Sequence, residues 1–318
     1  MMDKAKILIL GQPLTEGVAT LKDTLDVIQA PKDVTRDWIL ENVADVDGIL
    51  TVNVAIDQEI IDNATNLKMI STHSVGYDHI DVNYAAKKQI IVSNAPETVM
   101  VPTAELTMGL IIDTLRKITY FDKQLRGKTW SDTQSRSGLT TGLAGKTLAV
   151  YGFGRIGQEV ARLAQAFGMT VIYNKRSRLS AKQEAEYNVS FREFEDLIAE
   201  ADVLTLHAPA TAETKKIIDA KVFAKMKSSA YLINTARGAL VNQDDLKTAL
   251  ETGAIAGFGG DVFIEEPRLP VELLDLDNVV LTPHIGTATL ESRIATGQEA
   301  SENLIGYFTE GKVIKQVN

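Results

Sequence analysis

The chain has 318 residues, of which 45% are hydrophobic and 24% charged, an ordinary globular composition with enough length for two domains. Lysine and arginine number 33 against 42 acidic residues, and the formal charge of -9 argues against binding to nucleic acid or an anionic membrane. Cysteine is missing from the sequence, which excludes disulfides and thiolate chemistry and suits a reducing compartment.

The amino-terminal stretch predicts a first strand rather than a targeting segment. Its apolar run, Ile7 to Leu10, is too short for the core of a signal peptide and stops at Gly11. Nowhere do about 18 apolar residues follow one another, so the sequence predicts no membrane span. We therefore expect a cytoplasmic protein.

The sequence up to about Asn94 is typical of a small α/β unit, because short apolar runs alternate with polar segments of helical length. The runs are Ile7 to Leu10, Gly48 to Thr51, Met69 to Ser71 and Ile90 to Val92. The next segment, Val101 to Ile118, begins with Pro102 and Thr103, which suit a helix start, and carries leucine and isoleucine at helical spacing. It predicts a long, buried connecting helix.

The stretch from Arg126 to Gly145 predicts an extended arm or loop. It is polar, contains four glycines and Trp130, and shows little periodicity. Such an arm could reach a partner subunit, and we expect a homodimer.

From Lys146 the alternation of strand and helix patterns resumes. Six further apolar runs are Thr147 to Tyr151, Thr170 to Tyr173, Val203 to His207, Ala230 to Asn234, Ile255 to Gly259 and Val279 to Thr282. Strands that alternate with helices predict a parallel, doubly wound sheet.

The last helical pattern, Leu290 to Phe308, is too short for a domain of its own and is expected to pack on the amino-terminal unit. The expected fold class is α/β, with two Rossmann-like domains whose sheets are parallel. A dinucleotide-binding domain, residues 102–286, would be inserted in a discontinuous substrate domain, residues 1–101 plus 287–318. The active site is expected in the cleft between the two domains.

A glycine motif stands where a phosphate-binding turn belongs. The letters GFGRIG, Gly152 to Gly157, follow the strand that ends at Tyr151 and open the helical pattern from Gln158 to Phe167. In this setting the glycines permit a tight turn, close approach to a pyrophosphate and close helix packing. The motif therefore predicts a dinucleotide site.

The next strand end carries cations where NAD enzymes usually carry an acidic residue for the ribose hydroxyls. Lys175, Arg176, Ser177 and Arg178 occupy this position, and the next carboxylate is Glu184. The plain alternative is a solvated basic loop. We favour a site for a 2'-phosphate, and hence NADPH as the preferred cofactor with NADH possible.

Charged side chains follow three more strands at the same sheet edge. His284 follows the strand that ends near Thr282, and Arg237 follows the strand that ends at Asn234. Asp261, Glu265 and Glu266 follow the run that ends at Gly259. Each could form an ordinary surface ion pair, but together they supply an acid or base, a carboxylate clamp and carboxylates.

The sequence resembles the D-isomer-specific 2-hydroxyacid dehydrogenases along essentially its whole length, and most closely the glyoxylate and hydroxypyruvate reductase branch. The segments that carry the resemblance, in the same order, are Ser74 to Asp81, the glycine motif, Asn234 to Gly238, Asp261 to Pro267 and Pro283 to Gly286. The resemblance implies reduction of a small 2-oxo acid to the D-2-hydroxy acid by hydride transfer from NADPH.

The resemblance also implies residue roles. Arg237 would bind the substrate carboxylate and carbonyl oxygen, His284 would be the general acid/base, and Glu266 would orient and charge it. The backbone amides of Val75 and Gly76 would hold the substrate carboxylate from the other domain. No metal is required, and the sequence contains no ligand cluster with zinc-like spacing.

The expected cofactor contacts lie at the strand ends. They are Thr103, Gly152, Gly154, Arg155, Ile156, Gly157, Lys175, Arg176, Ser177, Arg178, His207, Ala208, Pro209, Thr235, Ala236, Asp261, His284 and Gly286. Within this set, His207, Ala208 and Pro209 are expected to form a tight turn over the cofactor, and Asp261 to contact the nicotinamide side.

Two other functions remain open. A nucleotide-sensing corepressor on the same fold would retain Arg237, Glu266 and His284 without turnover. An NADH-linked dehydrogenase of the D-lactate or phosphoglycerate type would share the catalytic residues. Glyoxylate, hydroxypyruvate, pyruvate and larger 2-oxo acids all remain open as substrates.

Overall fold

The computed structural model describes residues 4–135 and 138–318, and the chain forms two units. The first unit runs up to Val99 and takes in Thr287–Asn318, and the second unit is Met100–Gly286. The expected arm from Arg126 to Gly145 contains residues 136 and 137, so that part of the prediction lies outside the described residues.

The elements of the first unit are β1 (Lys6–Leu10), α1 (Thr15–Thr24), β2 (Asp26–Gln29), α2 (Arg36–Asn42), β3 (Gly48–Thr51), α3 (Gln58–Asn63), β4 (Met69–Thr72), α4 (Val82–Lys87), β5 (Ile91–Ser93) and, near the end of the chain, α12 (Leu290–Glu310). Those of the second unit are α5 (Met100–Arg116), α6 (Ile118–Arg126), β6 (Thr147–Tyr151), α7 (Arg155–Ala166), β7 (Thr170–Asn174), α8 (Ala181–Tyr187), β8 (Ser190–Phe191), α9 (Phe194–Glu200), β9 (Val203–Leu206), α10 (Ala220–Phe223), β10 (Tyr231–Asn234), α11 (Gln243–Glu251), β11 (Gly257–Gly260) and β12 (Val279–Leu281). Short 3-10 turns lie at Gly238–Leu240 and Val271–Leu273.

The first unit is built on a parallel sheet with strand order β2-β1-β3-β4-β5. Strands β3 and β4 are buried along their whole length, which is why they read as continuous apolar runs. The sequence pattern missed β2, because an edge strand that begins with Asp26 and ends with Gln29 has only two apolar residues.

The final helix belongs to the first unit, as expected. Helix α12 packs on α1, and the Ser71 hydroxyl donates to the Ala300 carbonyl at 2.9 Å. The two helices touch where Gly17 meets Gly297, since a Cβ added to Gly297 would lie 2.9 Å from the Gly17 Cα. This contact brings the helix backbones together closely.

The second unit contains a seven-stranded parallel sheet with strand order β12-β11-β10-β9-β6-β7-β8. From β6 the chain first adds β7 and β8 on one side and then places β9 to β12 on the other side. The strand order therefore switches at β6, where open α/β sheets bind ligands beyond the carboxyl ends of the strands. The α/β fold class with two parallel sheets is confirmed.

The structure differs from the sequence pattern in two local details. The helix expected from Val101 to Ile118 is α5, and it ends at Arg116 because Lys117 adopts a left-handed backbone with φ of 54°, after which α6 begins. The second sheet also has an unpredicted edge strand, β8, whose two residues are too few for a periodic pattern.

The contact between α1 and α12 predicts opposite effects for two glycine-to-alanine changes. Gly297→Ala should lower the free energy of unfolding by about 1 to 2 kcal/mol, because overpacking outweighs the gain in helix propensity. Gly109→Ala is the matched control: Gly109 lies in α5 with nothing within 4 Å of an added Cβ, so the change should be neutral or stabilising. Urea unfolding of both variants measures the difference, and equal effects would contradict the close contact.

Candidate active site

Two of the three motif glycines are required by backbone packed against them. Gly152 has φ of +95°, and a Cβ on it would lie 2.4 Å from the Ala208 amide nitrogen. A Cβ on Gly157 would lie 2.6 Å from the Gly152 carbonyl oxygen, whereas a Cβ on Gly154 would meet open space. The loop is therefore packed against backbone at Gly152 and Gly157 and is open at Gly154, where α7 begins. This opening would accept a pyrophosphate next to the helix amides of Arg155 and Ile156.

The basic loop after β7 is held by a carboxylate at its far end. The Arg178 guanidinium pairs with Glu184 through Nε–Oε1 and Nη2–Oε2 distances of 2.8 and 2.9 Å. The buried Tyr173 donates its hydroxyl to Glu184 at 2.8 Å. Arg176 and Ser177 are exposed at the tip of the loop. Arg178 thus fixes the shape of the loop, and Arg176 and Ser177 are presented to solvent.

The side chains of His284 and Glu266 are joined by a hydrogen bond. His284 Nδ1 lies 2.5 Å from Glu266 Oε2, and the other carboxylate oxygen accepts the Phe263 amide at 2.7 Å. Partial burial acts to raise the pKa of Glu266, but the bonds from His284 and Phe263 outweigh it, so the pKa lies below the ordinary value. The carboxylate is therefore ionised, and the imidazole turns its Nε2 away from it.

Asp261 holds the loop that carries His284. Its buried carboxylate accepts hydrogen bonds from the Thr282 hydroxyl at 2.6 Å and from the amides of Ile285 and Gly286 at 2.8 Å each. The backbone of His284, with φ of 54°, lies in the left-handed region that non-glycine residues rarely adopt. Asp261 thus stabilises a strained loop, a function that the sequence did not reveal.

Arg237 lies close to the same pair. Asn234, which is buried at the end of β10, accepts from the Ala236 amide at 3.0 Å and donates to the Arg237 carbonyl at 2.9 Å. The charge of Arg237 contributes to the lowered pKa of Glu266, after the larger effects of burial, His284 and Phe263. The structure therefore brings the three expected catalytic residues together, and Asn234 is a support that sequence reasoning missed.

Several of the residues expected to contact the cofactor have partners among one another or on α5. A Cβ on Gly286 would lie 3.2 Å from Asp261 Oδ2 and 3.6 Å from the Thr103 hydroxyl. The hydroxyls of Thr107 and Thr235 lie 2.8 Å apart, and Thr107 also donates to the Thr103 carbonyl. Asp261 and Thr103 thus lie beside Gly286, and Thr235, which Ala236 follows in the chain, is linked to Thr103 through Thr107.

His207 occupies a different environment. Burial lowers its pKa to about 3, and its Nε2 lies 2.9 Å from the Thr205 hydroxyl. Its backbone and that of Ala208 cross Gly152, and the Pro209 carbonyl accepts the Thr214 hydroxyl at 2.7 Å. A neutral imidazole suits the structural turn expected for His207 rather than proton transfer.

The structure places Val75 and Gly76 in the first unit, in the loop after β4. Their carbonyls accept from Asn94 Nδ2 at 2.9 Å and from the Ser74 hydroxyl at 2.6 Å.

Within residues 4–135 and 138–318, no group of three or more acidic or histidine side chains forms a metal site. No helix in the same ranges has the length and apolar character needed to cross a bilayer.

Residues 108–286 match the family model described as D-isomer specific 2-hydroxyacid dehydrogenase, NAD binding domain. A glyoxylate reductase of Thermococcus litoralis is 40% identical over 317 residues, which cover 98% of this chain and 95% of that protein.

Two solved structures are similar along nearly the whole chain. A glyoxylate reductase from Paecilomyes thermophila has a TM-score of 0.91 at 33% identity and covers 99% of both chains. An NADPH-dependent glyoxylate/hydroxypyruvate reductase from Sinorhizobium meliloti, solved with NADP and malonate, has a TM-score of 0.87 at 30% identity and covers 99% of this chain and 97% of its own.

The lowered pKa of His207 predicts a measurable pH dependence of stability. Because its folded-state pKa of about 3 lies below the ordinary 6.5, the unfolded chain takes up a proton that the folded state rejects as pH falls through that window. His207→Asn should therefore lose stability less steeply than the wild type between pH 6.5 and 4.5 in urea unfolding. Thr205→Val retains the buried imidazole and should keep the wild-type slope. An unchanged slope in His207→Asn would contradict burial of the imidazole as the cause.

Proposed function

Because the chain belongs to the D-isomer-specific 2-hydroxyacid dehydrogenases, in the glyoxylate reductase branch, we propose that this NAD(P)-dependent enzyme reduces glyoxylate or hydroxypyruvate to the 2-hydroxy acid with NADPH. The observation that carries the proposal is the His284–Glu266 pair beside Arg237 at the sheet edge that also holds the glycine loop. These side chains supply a proton donor and an anion clamp, which reduction of a 2-oxo acid requires.

Each side chain has a distinct task in the proposed reaction. The glycine loop would hold the pyrophosphate of the dinucleotide, and Thr103, Thr235 and Asp261 would lie toward its nicotinamide, which would supply the hydride. The fork of Arg237 binds the substrate carboxylate and orients the carbonyl. His284 donates a proton from Nε2 to the developing alkoxide, because Nδ1 is engaged by Glu266. The ionised Glu266 stabilises the protonated form of the imidazole during the reaction.

The preference for NADPH is supported by the charge and exposure of the basic loop. Arg176 and Ser177 are exposed, and Lys175 stands where an acidic residue would bind ribose hydroxyls. Hydrogen bonds to charged groups contribute about 1.5 to 3 kcal/mol each. Two such contacts, reduced by solvent, would leave on the order of 3 kcal/mol, or roughly a hundredfold preference.

We also propose that the enzyme is a homodimer. The side chains of Ile118 and Leu125 on α6 are more than half exposed, and Trp130 is 85% exposed. An exposed apolar surface of this kind is typical of an association site. The cytoplasmic location expected from the sequence stays a prediction.

The proposed reaction is tested by a panel of glyoxylate, hydroxypyruvate, pyruvate and larger 2-oxo acids, assayed with NADPH and with NADH. We expect the highest kcat/KM for glyoxylate or hydroxypyruvate with NADPH. Binding of cofactor without turnover of any 2-oxo acid would instead support a nucleotide-sensing protein.

Arg237→Lys tests the carboxylate clamp. A single ammonium cannot reproduce the bidentate fork, so kcat/KM for the preferred 2-oxo acid should fall about a hundredfold. Arg162→Lys is the matched control, because Arg162 pairs with Glu159 on the surface of the same unit. Near wild-type kcat/KM in a folded Arg237→Lys variant would contradict the assignment.

Arg176→Ala tests cofactor choice. It should raise KM for NADPH at least tenfold and leave KM for NADH nearly unchanged, because only NADPH carries the 2'-phosphate. Arg178→Ala, which removes the guanidinium held by Glu184, is the comparison and should have a smaller effect. A wild-type ratio of kcat/KM that favours NADH would overturn the NADPH proposal and leave the dehydrogenase assignment intact.

A further inference from the structure

The loop from Ser74 to Gly76 has all three of its carbonyls held by donors of the first unit. The Ser74 carbonyl accepts the Ala95 amide at 3.0 Å, the Val75 carbonyl accepts Asn94 Nδ2 at 2.9 Å, and the Gly76 carbonyl accepts the Ser74 hydroxyl at 2.6 Å. In a trans peptide, the N–H points opposite to the carbonyl of the preceding residue. The amides of Val75 and Gly76 therefore point away from the Ala95 amide and the Asn94 side chain.

These two amides form an anion-binding turn. Across the described ranges, neither the Val75 nor the Gly76 amide donates to a protein acceptor. Two successive amides that face the same side of a turn bind anions such as a carboxylate. The direction of the Gly76 amide depends on the Val75 carbonyl, because these two groups belong to one rigid peptide plane. The direction of the Val75 amide depends in the same way on the Ser74 carbonyl, which the Ala95 amide holds.

Asn94, the residue after β5, controls that peptide plane and is itself fixed on two sides. Its amide nitrogen donates to the Lys315 carbonyl at 3.3 Å, and its carbonyl accepts from Asn303 Nδ2 at 2.9 Å. Asn303 is buried on α12. The Asn94 side chain therefore projects toward Val75 from a backbone that cannot shift independently.

The segment Lys315–Asn318, which we call the tail strand, fixes the same backbone from the edge of the sheet. Gln316 forms an antiparallel bridge with Ser93, and the Val317 amide donates to the Val92 carbonyl at 2.9 Å. The Asn318 side chain accepts from the Val92 amide at 2.9 Å and donates to the Ile90 carbonyl at 2.7 Å.

A buried ion pair anchors the start of the tail strand. The Lys315 ammonium bonds to Glu299, whose carboxylate is buried on α12. The tail strand is thus attached both to β5 and to α12 on either side of Asn94.

We propose that Asn94 is a positioning residue for substrate binding. Its side-chain amide holds the Val75 carbonyl so that the Gly76 amide faces the substrate carboxylate beside the Val75 amide, and the tail strand holds Asn94 in place. The inference rests on the proposed function, since it assigns these amides to the carboxylate of a 2-oxo acid. It adds a chain of contacts from the tail strand through Asn94 to the substrate.

The test separates binding of the 2-oxo acid from binding of the cofactor. Asn94→Ala should raise KM for the preferred 2-oxo acid and Ki for oxamate about tenfold, which corresponds to about 1.4 kcal/mol. KM for NADPH should stay within twofold, because the glycine loop and basic loop belong to the second unit. Asn63→Ala is the matched control, since Asn63 caps only the exposed Glu59 carbonyl on α3.

Two further variants make the role specific. Asn94→Asp cannot donate when ionised and also repels a carboxylate, so KM should rise more than in Asn94→Ala. Relative to the wild type, KM of Asn94→Asp should recover as pH falls below about 5, because the protonated carboxyl can donate again. Asn318→Ala, which loosens the tail strand without touching the loop, should raise the same KM by a smaller factor.

The outcomes distinguish the inference from the proposed function. If the wild type turns over 2-oxo acids but Asn94→Ala and Asn94→Asp keep its KM and Ki, the positioning role is wrong. If the variants raise KM for NADPH and for the 2-oxo acid by the same factor, the effect is general and the inference is again overturned. If the wild type turns over no 2-oxo acid, the proposed function itself fails.

Discussion

The candidate active site depends on the hydrogen bonds that the buried Asp261 carboxylate accepts from the loop of His284. The carboxylate gathers the Thr282 hydroxyl and the amides of Ile285 and Gly286, and so imposes one conformation on the loop between them. Hydrogen bonds to a charged group contribute about 1.5 to 3 kcal/mol each, so the three bonds together outweigh the roughly 1 to 3 kcal/mol that a left-handed non-glycine residue costs. The backbone of His284 is therefore held in a strained conformation that delivers its Nδ1 to Glu266.

A carboxylate also fixes the basic loop that follows β7. Glu184 engages Arg178 and Tyr173, and its pKa is lowered by these hydrogen bonds, so it remains ionised as a support. The loop tip at Arg176 and Ser177 is thus presented by a rigid base. In both loops, an acidic residue shapes the backbone beside the basic residue that we propose to contact the ligand.

Much of the fold and the site followed from the sequence, because each signal had a local physical cause. The family and the α/β class are confirmed, and the glycine motif was readable because Gly152 and Gly157 each meet a steric requirement within a few residues. The edge strand β8 and the break at Lys117 were missed, since a two-residue strand has no period and a left-handed lysine has no compositional signal. The supporting roles of Asn234 and Asp261 were missed, because the groups that they bond to come together only in the folded loops.

The Arg178–Glu184 ion pair could have been predicted from the sequence. Ser180 and Gln183 form a capping box, which places Glu184 in the first turn of α8.

The backbone contact behind Gly152 has an evolutionary consequence. Any side chain at Gly152 would collide with the peptide between His207 and Ala208, so this position can change only if the backbone of the second loop moves. The exposed tip of the basic loop at Arg176 and Ser177 has no such contact, and its residues can be exchanged one at a time. If these two loops bind the pyrophosphate and the 2'-phosphate as proposed, selection could exchange one reductant for another, and so couple the enzyme to a different metabolic pool, without altering how the pyrophosphate is bound.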